Sequence, residues 1–121
     1  MLKRRPNGET DTGQAAIEYA GVLMLLIFVG LVGVQLGLVA YAAQQAGTAA
    51  RAAARTASYA ETSMSADAAA KAAVSGWLDA GIDDMSTTSE AVTVTARVKV
   101  PEILPVFDFG DAKRTSTMPR D

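Results

Sequence analysis

Cysteine and histidine are both missing from the 121 residues. Without them the chain can build no disulfide, thiolate nucleophile, imidazole base or zinc site of the usual ligand types. Most enzyme classes are therefore disfavoured before any motif is read. Aromatic residues make up only 6% of a chain that is half hydrophobic, and Ala alone fills 24 positions. Much of the apolar content is thus too small to fill a deep globular core. A positive excess is lacking too: 11 Lys and Arg stand against 13 Asp and Glu, which argues against a nucleic-acid partner. A chain of this length is one small domain at most.

Charge itself is absent from one long stretch. Between Glu18 and Arg51 lie thirty-two residues without Asp, Glu, Lys or Arg. About 20 apolar residues suffice to cross the hydrocarbon of a bilayer, and residues 19–41, interrupted only by Gln35, are read as a membrane-spanning helix. A cleaved secretory signal has a shorter apolar core, although Ala40, Ala42 and Ala43 imitate its cleavage site. Lys3, Arg4 and Arg5 favour keeping the N-terminal end in the cytoplasm, weakly, because Arg51 and Arg55 lie beyond the other end. Pro6, Asn7 and Gly8 mark a break, and Asp11 or Thr12 can cap the entering helix.

Past the span, residues 40–73 are half Ala, a composition with strong helix propensity and almost no side-chain volume. The helix is expected to run on to about Ala60 as a rod, suited to close packing against copies of itself or relatives. Arg51 and Arg55 share one face of it, a solvated face that could also meet acidic neighbours or lipid headgroups. Ser65 is a candidate cap for a second helix, in which Asp67 and Lys71 pair at i,i+4 and Ala70, Val74, Trp77 and Leu78 share a face. Trp77 is read as the anchor of the small head. Residues 91–100 alternate strictly, with Val92, Val94, Ala96, Val98 and Val100 on one side, and read as a half-buried strand. A return strand near 111–118 has poorer alternation. Asp79, Asp83, Asp84 and Glu90 do not fit a calcium loop and are assigned to a helix end and turn. The expected fold class is α+β, mostly α: a long N-terminal transmembrane and Ala-rich helix, a short helix and a small antiparallel β hairpin.

The junction Gly13-Gln-Ala-Ala-Ile-Glu-Tyr19 sets an acid at the threshold of the apolar helix. Counted from a cut after Gly13, Glu18 is fifth and Tyr19 sixth, which resembles the processing site of type IV prepilins and especially the Glu-Tyr pair of tight-adherence (Flp) pilins. The following apolar run, and then Tyr41-Ala-Ala-Gln-Gln-Ala-Gly-Thr-Ala-Ala-Arg51 with Arg55, resemble the TadE-like family of minor pilins or pseudopilins of the tight-adherence system. The resemblance covers about residues 13–60. Major Flp pilins are shorter, so the extra residues point towards a minor component.

That resemblance implies a prepilin-type leader over residues 1–13, cut between Gly13 and Gln14 by a prepilin peptidase on the cytoplasmic side. It further implies a helix over 14–61 containing the span 19–41, and an extracytoplasmic α+β head over 62–121. Glu18 would meet the α-ammonium of a neighbouring subunit, and Tyr19 would serve packing of the helix. The bare alternative for Glu18 is an interfacial acid favoured by the positive helix N-terminus. Gln14, once terminal, can cyclise and lose its charge. Gly30, Gly33 and Gly37 would let another helix approach closely. The expected function is that of a non-catalytic structural subunit, without cofactor, metal or small-molecule substrate. Its partners would be the bacterial inner membrane, other pilin subunits and the assembly platform, and after processing it would reach an extracellular pilus. The competing class is an uncleaved single-span membrane protein with a partner-binding head. A membrane enzyme would need a polar catalytic set that the tail acids do not supply.

Overall fold

The computed structural model describes residues 8–59, 64–104 and 107–120. Their order is α1 (Gly8–Ser58), α2 (Ala66–Ala72), β1 (Ala80–Thr87), β2 (Ala91–Lys99) and β3 (Asp111–Pro119). Pro6 and Asn7, assigned to a break in the leader, lie outside the described residues, and Gly8 already belongs to α1. Asp11 and Thr12 are consequently inside the helix rather than its caps.

The chain divides into two units, the first ending at Val34 and the second running from Gln35. In the first, every described residue is helical. Its large apolar side chains point outward all around: Ile17, Met24, Leu25, Leu26, Val29 and Val34 are each more than half exposed. Within α1, residues 12–58 form a helix long and apolar enough to cross a membrane.

The second unit has a core, and alanine makes it. Ala42, Ala46, Ala49, Ala50, Ala53 and Ala54 are all fully buried, recurring at the three- and four-residue spacing of one helix face. Ala49, Ala50, Ala53 and Ala54 meet Val92, Val94 and Ala96 in one cluster, while Ala42 and Ala46 join Leu78, Ala80, Val98 and Val100 in another. The inward side of β2 is the one its alternation predicts. Methyl groups on the helix allow the sheet backbone to approach closely, and valines fill the shallow space that remains. The alanine face expected to pack against other chains is thus covered by the chain's own sheet.

That sheet has three antiparallel strands in the order β1-β2-β3, one more than the expected hairpin. The return strand is β3. The additional strand is β1, whose register with β2 shifts between Ile82 and Asp84, leaving Asp83 as a bulge. On the outer face, Thr93 bonds Thr117 at 2.9 Å and Thr95 bonds Thr115 at 2.8 Å, cross-strand pairs of the kind that stabilise a solvated sheet face. Asp83 and Asp84, read as a turn, lie in β1, and Asp83 pairs with Lys113 of β3 at 3.2 Å.

Helix α2 begins as expected, with the Ser65 hydroxyl accepting from the Ala68 N–H at 3.1 Å and Lys71 on Asp67 at 2.8 Å. It is shorter than expected, closing at Ala73 before Ser75 and Gly76. Val74 and Leu78 still reach the core from the loop, but Trp77 does not: it is 62% exposed. Its indole lies flat against the Tyr41 ring, centroids 6.0 Å apart. Before β3 the chain turns at Gly110, where φ is +63°, a value that favours glycine, and its N–H bonds the Asp108 carboxylate at 2.8 Å.

Candidate functional site at the N-terminal helix

Gly13, Gln14, Glu18 and Tyr19 all lie within α1, and all four are exposed. Helical spacing puts Gln14 and Glu18 on the same face, yet no contact joins them. Among the described residues Glu18 has neither an ion-pair nor a hydrogen-bond partner, so its carboxylate depends on what surrounds the helix. Beside it, Ile17 and Tyr19 are each 76% exposed. A Cβ at Gly13 would meet nothing within 4 Å. Two helix turns therefore present a charge, an aromatic ring and a residue without a side chain at the start of the apolar run.

Gly30, Gly33 and Gly37 follow along α1, each with open space where a Cβ would stand. Their shallow surface is filled by no other described residue. Gln35 is different, and sequence reading passed over it as a mere interruption. It is 1% exposed. Its amide donates to the Pro101 carbonyl and accepts from the Ile103 N–H, both at 2.9 Å, so one side chain satisfies two backbone groups of the loop that follows β2. A polar residue inside an apolar run is the signal that could have revealed this, since an unpaired amide there is costly.

Tyr41 is the last residue of the expected span 19–41. Its hydroxyl and that of Ser75 are 2.6 Å apart, fixing the ring on which Trp77 stacks. Further along α1, Arg51 and Arg55 are exposed as expected, and neither has an acidic partner among the described residues. Asp67 does: its pKa is lowered, chiefly by the hydrogen bond from Lys71. Desolvation opposes that shift, and the Ile82 N–H and the charges of Lys71 and Arg97 add to it. Asp67 thereby ties α2 to β1, with the Ile82 N–H 3.4 Å from its carboxylate.

No group of three or more His, Cys, Asp or Glu among the described residues is placed to hold a metal ion. The cleft beside Trp77 is lined by mixed side chains that include Asp79, Lys99 and Glu102. The distinctive arrangement is the N-terminal helix itself. Comparison of the chain with curated proteins and with solved structures found no match. A family model does match, over residues 13–55. Those residues begin at the small residue of the junction and end at the second arginine of the alanine-lined stretch, and the model they match is that of the TadE-like proteins.

Proposed function

We infer that the protein is a minor pilin or pseudopilin of a tight-adherence pilus, held by a single membrane-spanning helix with its N-terminus in the cytoplasm. A prepilin peptidase removes residues 1–13, and the mature chain starting at Gln14 joins or assists a pilus as a structural subunit without catalysis. The observation that carries this reading is Glu18. It is an acid without a partner among the described residues, five positions after Gly13 in a segment that matches the TadE-like family.

A carboxylate at the edge of hydrocarbon is costly unless neutralised, and cleavage after Gly13 creates an α-ammonium on the same chain end. When that amine belongs to a neighbouring subunit, the pair forms only on assembly and fixes the axial stagger between helices. Such a pair favours association when desolvated and well aligned. Tyr19 and the glycines at 30, 33 and 37 then provide the packing surface, since small residues allow close helix approach in lipid.

The deciding experiment is N-terminal sequencing with intact mass on protein from native membranes and from sheared surface material. A start at Gln14 is expected, as a free amine or as the cyclised form that has lost ammonia. Retention of residues 1–13 would refute processing and favour an uncleaved single-span protein with a partner-binding head. A start near residue 44 would make the apolar run a secretory signal.

A further inference from the structure

We propose that the groove between α1 and the free edge of β3 takes up an extended, acidic segment of another protein chain as a fourth strand. The groove lies wholly within the second unit. A cleft of about 550 Å³ is lined by Gly47, Thr48 and Arg51 of α1 and by Arg114, Thr115 and Ser116 of β3. A second, of about 370 Å³, shares Thr48 and Arg51 and adds Arg55, Thr56 and Met118. From Gly47 to Arg55 is about 12 Å of helix, and from Arg114 to Met118 about 14 Å of strand. Helix and strand thus flank one continuous groove.

Consecutive residues of a strand point to opposite faces of its sheet, so a cleft that touches Arg114, Thr115 and Ser116 together lies at the strand's edge. That edge has hydrogen-bonding groups to spare. The Val100 N–H bonds the Gly110 carbonyl at 3.2 Å and the Arg120 N–H bonds the Glu90 carbonyl at 2.8 Å, at the two ends of an unbroken register. Bonded and non-bonded pairs alternate along an antiparallel ladder. The even-numbered residues of β3 therefore bond to β2, and Lys113, Thr115 and Thr117 direct their N–H and C=O groups away from it. No strand lies on that side of β3 among the described residues. The main chain of an added strand would satisfy these groups.

Charge selects the occupant. Arg51, Arg55 and Arg114 are exposed and have no acidic partner among the described residues, whereas Lys113 pairs with Asp83. No Asp or Glu lines either cleft. Arg51 and Arg55 are about 6 Å apart along the helix axis, and alternate residues of an extended strand are about 6.8 Å apart. A strand laid along β3 with acids at every second position therefore brings successive carboxylates to successive guanidinium groups, which bind carboxylates with two parallel hydrogen bonds. Gly47 keeps the groove open, since a Cβ there would stand 3.7 Å from Arg51 Nη1 and 3.8 Å from Arg114 Cγ. The β3 edge of a second copy is a poor occupant, because it would bring its own Lys113 and Arg114 to the same guanidinium groups.

The probe is a fluorescein-labelled seven-residue peptide in which Glu alternates with Thr, titrated against the full chain in a nonionic detergent and followed by fluorescence anisotropy. It should bind at least about tenfold more tightly than a peptide of the same composition with its acids grouped at one end, and than the version with Gln for Glu. Arg51→Gln combined with Arg55→Gln should weaken it at least about tenfold. Thr115→Pro, which removes one N–H of the free edge and leaves the bonds to β2 in place, should weaken it by a similar factor of about ten. Far-UV circular dichroism checks the fold of each variant; should Thr115→Pro fail to fold, N-methylation of alternate peptide residues removes the same bonds from the other side. Equal binding of the grouped and alternating peptides, or displacement by inorganic phosphate or glycerol phosphate as readily as by unlabelled peptide, would make the groove a general anion or lipid-headgroup site and overturn the proposal. Absence of binding to the folded chain, or binding undiminished by the loss of the edge bonds, would overturn it equally.

Discussion

Three polar side chains each hold a specific junction. Gln35 secures the loop after β2, Ser65 starts α2, and Asp67 joins α2 to β1. Asp67 has a measurable consequence. Its folded pKa is depressed, chiefly by Lys71, so its contribution is complete above the unfolded pKa of about 4 and is lost as pH falls through the folded value. The side chain is 49% exposed, so solvent screening keeps the effect small, below about 1 kcal/mol. Urea unfolding of Asp67→Asn should show a stability deficit near neutral pH that shrinks as the pH drops below about 4. A deficit that grew on acidification would rule out this linkage. Gln35 and Glu18 show how different two polar interruptions of an apolar helix can be: Gln35 is satisfied within the chain, and Glu18 has no partner among the described residues.

Among the elements, legibility followed pattern strength. Strand β2 was plain from the sequence because its buried residues alternate without a fault. Strand β3 alternates poorly because its inward positions include Arg114 and Ser116, which lie at the sheet edge over a cleft floored by Gly47 rather than in the core. Strand β1 was invisible, since Gly81, Asp83 and Asp84 all disfavour strands and the bulge breaks the period. The alanine stretch was legible as a helix but not in its contacts, because a methyl-lined face fits a neighbouring helix or a sheet equally well. Here the sheet covers it, and the fit is intolerant of volume. Ala50→Leu should destabilise the second unit by about 1–3 kcal/mol through overpacking against the sheet. Leu at the exposed Arg51 should change stability by less than about 0.5 kcal/mol. Chemical unfolding of the full chain in detergent, followed by far-UV circular dichroism, distinguishes them, and equal effects would contradict the packing described.

For the whole molecule, the two units face different solvents. The first has no core and exposes leucine, isoleucine and phenylalanine on every side; the second closes its alanine face with its own strands. A helix already bathed in lipid loses little hydrophobic stabilisation when apolar neighbours replace that lipid, so packing and the polar end group decide whether it stays in the membrane or joins a bundle. Glu18→Ala is accordingly expected to leave expression and membrane insertion unchanged while depleting the protein at least about tenfold from sheared surface fibres, the equivalent of about 1.4 kcal/mol. Quantitative immunoblotting of membrane and sheared fractions measures this, and undiminished recovery would remove Glu18 from assembly.

The bulge at Asp83 gains its meaning from crowding. Any array that sets many copies side by side raises the local concentration of sheet edges to a level at which unpaired N–H and C=O groups of one edge recruit those of the next. Strand β1 is such an edge, and Asp83 breaks its register while placing two consecutive acids, Asp83 and Asp84, along it. Like charges and an interrupted ladder discourage edge-to-edge joining. Joining of two copies through their β1 edges is thereby discouraged.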